Sequence, residues 1–172
     1  GDEGNEFASG DKMSLNLPGL QEDLLETIAA SGKPVVLVVL SGSALALGWA
    51  EEHIPAILQG WYPGGQGGKA IAQVLFGEYS PEGKLPVTFY ESDEDLPAFT
   101  DYAMKGRTYR YMEKEALYPF GYGLSYSAFD LSDAKLSSEK ITDTLTVTCT
   151  LHNQGDFEAA QTVQVYVKAN RP

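Results

Sequence analysis

The sequence predicts an α/β fold: a partial open α/β sandwich with a mostly parallel sheet, followed by the first strands of an antiparallel β-sandwich. Three observations carry that prediction. Residues 34–40, PVVLVVL, form a continuous apolar run bounded by Gly and Pro, as in a strand buried on both faces of a parallel sheet. Segments with helical spacing of apolar residues lie on either side of it. Residues 144–151, TLTVTCTL, instead alternate strictly, which is the period of a strand with one wet face.

The elements follow in order. Leu20, Leu24, Leu25, Ile28 and Ala29 recur at helical spacing, and Glu22 and Asp23 suit the positive end of that helix; Gly32 is its stop. The run 34–40 is the first strand, and Ile54 to Leu58 is expected to be a second. GWYPGGQGG leads into a helix over 69–76, marked by Ile71, Val74 and Leu75 and closed by Gly77. Leu85 to Phe89 is a third candidate strand. Three strands fall below the usual sheet of about 4 to 6, so further strands are expected from elsewhere in a parent protein.

The character of the chain changes after residue 98. Nine of its nineteen aromatic residues fall between Phe99 and Phe129, in GRTYRY and LYPFGYGLSYSAF, where Gly and Pro interrupt any regular element. Rings packed between domains, with Arg107 and Arg110 stacked on their faces, account for such a connector; a carbohydrate platform would need exposed rings. Leu131 to Leu136, TLTVTCTLHN and QTVQVYVK then read as three strands, with the turn signal NQGD at 153–156. The sequence thus divides into an α/β part over 1–98, a connector over 99–129 and a truncated β-sandwich over 130–172. A start at Gly and an end at Pro172 are expected of a processed or excised piece.

Composition narrows the partners. With 172 residues, 43% hydrophobic and 11% aromatic, the chain can fill a core. Twelve basic against 24 acidic side chains give a net charge of -12, which opposes phosphate backbones and anionic lipid surfaces, so neither nucleic acid nor membrane is an expected partner. No apolar run approaches the roughly 20 residues of a bilayer span. Cys149 is the one cysteine, so there is no internal disulfide, and the compartment stays open.

Two segments invite chemistry. GGQGGKA, 64–70, precedes a helix and so invites an anion. It fails as a Walker loop, with Pro63 in place of the first Gly and Ala70 in place of Ser or Thr. Gly65, Gly67 and Ala70 do fit G-x-G-x-x-A, with Glu91 after the next strand, but Trp61, Tyr62 and Pro63 separate strand from glycines. A nucleotide-binding module is therefore the rival reading, and close backbone packing the plainer one. His53 and His152 lack partners at metal-ligand spacing, and Ser41 lacks a nucleophile-elbow frame. The second segment is the opening, which crowds Asp2, Glu3, Glu6 and Asp11 into a Gly-rich run before LNLPG. It is either a solvated terminus or a loop of proton-moving carboxylates.

The ordered motifs decide between these. DKMSLNLPGLQ, GKPVVLVVLSG, AILQGWYPGGQGGKAIAQVLFGEYSPEGKLPVTF, GRTYRY and LYPFGYGLSYSAF together resemble the C-terminal α/β domain of glycoside hydrolase family 3, over residues 1 to about 129. The remainder is similar to the fibronectin type III-like domain that many of these enzymes carry. The resemblance implies a retaining β-glycosidase acting on terminal β-linked glucose or xylose, in oligosaccharides or aryl glycosides, without a cofactor. A separate barrel domain, in the same protein or another chain, would carry the nucleophilic Asp. The α/β domain would lend the general-acid Glu on a loop just before the D-K-x-x-L-x-L-P motif.

At that spot the sequence departs from the family. The acid Glu commonly stands four residues before the basic residue of the motif, and four before Lys12 is Ala8. Either the loop has a different register and Glu6 or Glu3 serves, or the position has been emptied. Ala8 is taken as the acid position and Glu6 as the better surviving candidate. The fragment alone is expected to be inactive. A non-catalytic carbohydrate-binding or structural adaptor is the third reading.

Overall fold

The computed structural model describes residues 12–98, 100–140 and 143–168. The chain forms two compact units. The first, described from Lys12, runs to Ala72 and also takes in Leu85–Tyr122, while the second comprises Gln73–Lys84 and the residues from Gly123 onward.

In the first unit, helix α1 spans Gln21–Ala29 and ends through Gly32, whose φ of 72° only glycine adopts without cost. Strand β1, Val36–Val39, pairs in parallel with β2, Ala56–Gln59, in the register Val36↔Ala56 to Val39↔Gln59. A parallel pair needs a crossover. Here that crossover contains a short helix, α2, Gly48–His53, which was not expected from the sequence. After β2, a 3₁₀ turn over Gly64–Gln66 runs into helix α3, Gly67–Leu75, whose residues from Gln73 onward belong to the second unit.

The core of this unit gathers Leu25, Val39, Leu45, Leu47, Ala50, Ile54 and Phe89. Phe89 is its most enclosed large side chain at 1% exposure, held edge-on by Trp61 and by Tyr118, each with ring centroids 6.1 Å away. Such edge-to-face pairs each add about 0.5–1.5 kcal/mol to the burial itself.

Several expectations are corrected. Residues 34–40 are not buried on both faces: Val36 is 49% and Leu40 57% exposed, because among the described residues β1 has only β2 beside it. The apolar face of α1 likewise divides. Leu25 enters the core, whereas Leu20, Leu24 and Ile28, a stripe at four-residue spacing, lie exposed. Leu85–Phe89 joins neither the parallel sheet nor any strand. It runs antiparallel to the connector, with Leu85 N–H donating to Tyr122 O at 2.8 Å and Phe89 N–H to Tyr118 O at 2.9 Å. The pairing is not a continuous ladder, because Gly121 N–H donates to Leu85 O at 2.7 Å and Tyr122 N–H turns back to Pro119 O at 3.0 Å.

The connector contains one further turn of helix, α4, Thr108–Tyr111. Its rings stack in pairs, Tyr109 on Phe120 at 4.7 Å and Tyr118 on Tyr122 at 5.0 Å, and the Arg110 guanidinium lies 5.8 Å from the Tyr111 ring centre. Arg107 is not on a ring; it donates to the carbonyl of Asp101. Burial pushes the Tyr118 phenol up to about 12, with the Glu51 carboxylate and Tyr122 adding to the effect.

In the second unit, strand β3, Phe129–Leu136, pairs antiparallel with β4, Val147–Asn153, and the register shifts between Ser132 and Lys135 around Asp133, whose φ is 54°. The alternation in β4 does not give one dry face: Val147 and Leu151 remain 43% and 41% exposed in this two-stranded sheet. The third expected strand, 161–168, takes no strand pairing. Ser127 Oγ and Asn153 Nδ2 both donate to Phe157 O, at 2.7 and 2.8 Å, which fixes the bend at the predicted NQGD turn. Tyr126 packs on Phe157 and donates its hydroxyl to Val74 O at 2.7 Å.

Candidate functional site

In open α/β sheets, ligands meet the protein at the carboxyl ends of parallel strands, so the loops leaving β1 and β2 are the place to look. The pair closes there with Gly60 N–H donating to Val39 O at 2.8 Å. Beyond β1 come Ser41, Gly42 and Ser43; beyond β2 come Gly60, Trp61 and Tyr62. Trp61 holds a φ of 50°, an uncommon conformation for a bulky side chain and one that clusters at functional sites. A Cβ on Gly42 would lie 2.6 Å from Tyr62 Cε2, so the exposed Tyr62 ring would have to swing aside to admit one.

The buried Ser41 joins the two loops. Its Oγ donates to Ser43 O at 2.8 Å and accepts from Gln59 Nε2 at 3.2 Å, so the last residue of β2 grips the turn that follows β1. The other amide atom, Gln59 Oε1, is buried without a hydrogen-bond donor among the described residues.

This edge also receives the segment that follows the acidic opening. Lys12 Nζ donates to Ala44 O at 2.8 Å, and Ala46 N–H donates to Leu15 O, also at 2.8 Å. Leu15 N–H in turn donates to Asp93 Oδ1 at 2.6 Å. Asp93 opens a 3₁₀ turn, Asp93–Asp95, capped reciprocally by Ser92 and Asp95. Hydrogen bonds from the Ser14 hydroxyl and the Leu15 N–H, helped by the Lys12 charge, hold the Asp93 carboxyl below the usual carboxylate range. Asp95 is lowered as well, chiefly by its bond from Lys114 Nζ at 2.8 Å, and Lys114 also pairs with Glu91 at 3.3 Å and is itself raised.

These shifts assign roles. A general acid has to keep its proton near neutrality, which calls for a raised carboxyl pKa. Asp93 and Asp95 are shifted the other way, so they serve as anionic acceptors that hold backbone and lysine in place. Glu6 and Ala8, the positions expected to carry the acid, lie outside the described residues. What the structure places is their exit point, Lys12, fastened beside Ala44 at the carboxyl edge of the sheet.

The glycines of the rival reading have local explanations. A Cβ on the buried Gly67 would meet the Pro63 ring at 2.5 and 2.6 Å, so its bareness accommodates proline, whereas Gly65 has open space. Glu91 is engaged by Lys114. Sequence reasoning set Ser41 aside for want of a nucleophile frame and missed Gln59 and Asp93. The first two were discoverable as a serine after the first strand and a glutamine closing the second; Asp93, 78 residues from its partner Leu15, had no local signal.

Residues 1–126 match the glycosyl hydrolase family 3 C-terminal domain. A xylan 1,4-beta-xylosidase of Xylanibacter ruminicola is 47% identical over 162 residues, covering 94% of this chain and 19% of its own. A periplasmic beta-glucosidase of Salmonella typhimurium is 38% identical, covering 96% and 24%. Among solved structures, a β-glucosidase from Erythrobacter marinus superposes with a TM-score of 0.73 at 40% identity, over 87% of this chain and 21% of that one. Beta-glucosidase 3B from Thermotoga neapolitana, in complex with glycerol, gives 0.73 at 30% identity, over 84% and 23%. The chain therefore spans about a fifth to a quarter of the length of the curated relatives it matches. By sequence and by fold, it belongs to glycosyl hydrolase family 3 and carries that family's C-terminal domain.

Proposed function

We propose that this chain is the part of a retaining β-glycosidase that lends the acid/base loop, residues 1–11, to an active site completed by a nucleophile-bearing barrel domain. The substrates would be terminal β-linked glucose or xylose units, in keeping with relatives named as a β-glucosidase and a β-xylosidase. The observation that carries the reading is the fastening of Lys12 to Ala44 and of Leu15 to Ala46 and Asp93. It supports a loop that leaves the sheet at its ligand-facing edge.

The chemistry needs two carboxyl groups about 5 to 5.5 Å apart. The barrel's carboxylate attacks the anomeric carbon as the bond to the leaving oxygen breaks, and the loop's acid gives that oxygen its proton. The same group, now a carboxylate, takes a proton from the water that releases the sugar. Alanine at position 8 can do neither. Cleavage by the sequence as it stands would then depend on leaving groups that depart unprotonated, or on Glu6 in another loop register.

The test joins the chain to its barrel domain and follows aryl β-glucosides and β-xylosides of graded leaving-group ability. Ala8→Glu is expected to raise kcat/KM on poor leaving groups by roughly 10²–10⁴-fold, the usual worth of a placed acid, and to change kcat/KM on activated substrates far less. If Ala8→Glu changes nothing while Glu6→Ala abolishes the remaining activity, the acid is Glu6 and position 8 has no part in proton transfer.

A further inference from the structure

The loop of the proposed acid is carried by the segment Lys12–Leu15, and that segment rests on the turn 41–46 through two bonds, Lys12 Nζ to Ala44 O and Ala46 N–H to Leu15 O. What fixes the turn therefore fixes where Lys12–Leu15 rests. Ser41 Oγ donates to Ser43 O at 2.8 Å, which holds the plane of the peptide joining residues 43 and 44, immediately before the carbonyl of Ala44 that receives Lys12. Gln59 Nε2 holds Ser41 from the strand side at 3.2 Å. Ser41 is only 6% exposed, so its hydroxyl has few partners other than these two.

We propose that Ser41 and Gln59 are positioning residues: a hydroxyl–amide pair that locks the carboxyl end of β2 to the turn after β1 and thereby aims the acid/base loop. The inference rests on the reading that residues 1–11 supply the acid. Because the pair acts on the acid's position, its loss should slow formation of the sugar–enzyme intermediate from poor leaving groups and spare that step for a leaving group that departs unprotonated. A displacement of about 1 Å at a reacting group costs up to about 10²-fold, so even a partial loosening is measurable.

The experiment starts from the Ala8→Glu protein joined to its barrel domain and adds Ser41→Ala, Gln59→Met or Ser41→Thr. Rates are read for a dinitrophenyl glycoside, which needs no acid, and for a phenyl or alkyl glycoside, which does. Ser41→Ala and Gln59→Met are each expected to lower kcat/KM, which reports formation of the sugar–enzyme intermediate alone, about tenfold on the poor leaving group while changing kcat/KM on the dinitrophenyl glycoside less than about twofold, with Ser41→Thr restoring the former. The alkaline limb of the pH profile should also move, because a displaced carboxyl changes surroundings. Where Ser41→Ala does not fold, Gln59→Met, at a half-buried position, carries the same comparison.

Equal slowing of both substrates, or of neither, in folded variants overturns the positioning role. The underlying reading fails separately and visibly. In that case Ala8→Glu itself gives no selective gain on poor leaving groups, before any change at Ser41.

Discussion

Lys12 Nζ donates to the carbonyl oxygen of Ala44 at 2.8 Å, tying the exit of the acidic opening to the turn that follows β1 across 32 residues of sequence. A charged donor on a backbone carbonyl is worth about 1.5–3 kcal/mol when sheltered and less where water competes. Its larger consequence is geometric, since the bond sets where Lys12 itself sits at the edge of the sheet. In the Ala8→Glu protein joined to its barrel, Lys12→Met is expected to lower the melting temperature by a few degrees at most, about 1 kcal/mol. The same variant should lower kcat on poor leaving groups about tenfold. Equal activity on those substrates would show that the bond does not aim the loop.

On the proposal that position 8 is the acid position, the sugar–enzyme intermediate formed from an activated aryl glycoside would have no base to activate water for its release. A nucleophile that is already anionic needs none. Azide should therefore accelerate turnover of a dinitrophenyl glycoside by the sequence as it stands, giving a glycosyl azide of retained configuration. The Ala8→Glu protein should show little gain, its carboxylate repelling the anion and competing through water. Product analysis by NMR checks both halves. Absence of glycosyl azide with the Ala8 form would place the acid elsewhere.

How much of this was legible beforehand differs by element. Helices α1 and α3 and strands β1, β3 and β4 announce themselves because their patterns are local: 3.6-residue spacing, an unbroken apolar run, strict alternation. Helix α2 has only six residues and no repeat of its own, yet the rule that parallel strands require a crossover would have demanded something between residues 40 and 56. QTVQVYVK shows the opposite failure. Alternation encodes two faces and says nothing about a neighbour, and Val165 and Val167 stand 64% and 77% exposed without strand pairing. The proposed acid position came from the family's motif, because a carboxyl on a loop leaves no periodic trace. The Asp93 anchor was illegible for a similar reason: its partner is a backbone N–H, which every residue but proline possesses.

Asp93 makes stability depend on pH in a definite sense. Its folded pKa lies below the ordinary Asp value because the ionised form accepts from Ser14 and from Leu15 N–H. The contribution is therefore complete above the unfolded value of about 3.9 and is lost as pH falls through the lower folded value. Asp93→Asn keeps an oxygen acceptor but removes the charge, and at this exposed position should cost no more than about 1 kcal/mol. Thermal melts of the two proteins should differ at pH 5–7 and converge progressively below pH of about 4. A constant difference down to pH of about 2 would mean that the charge of Asp93 is irrelevant to the anchor.

Gly65 and Gly67 stand two residues apart, yet the structure gives them opposite environments. A Cβ on Gly67 would collide with the ring carbons of Pro63 at 2.5 and 2.6 Å, while none comes within 4 Å of one on Gly65. Overpacking of that kind costs about 1–3 kcal/mol, partly relieved if the proline ring shifts. An Ala in open space at a compatible backbone angle instead gains about 0.4–1 kcal/mol by restricting the unfolded chain. Gly67→Ala should thus lower the denaturation midpoint and Gly65→Ala leave it unchanged or raise it slightly. A phosphate cradle makes a different demand, because both glycines would then be bare for the sake of a ligand. In that case neither substitution would alter the stability of the free protein, and calorimetric titration with NAD or ATP would give saturable binding abolished by Gly67→Ala. Loss of stability at Gly67 alone, without binding, leaves proline packing as the reason for that glycine.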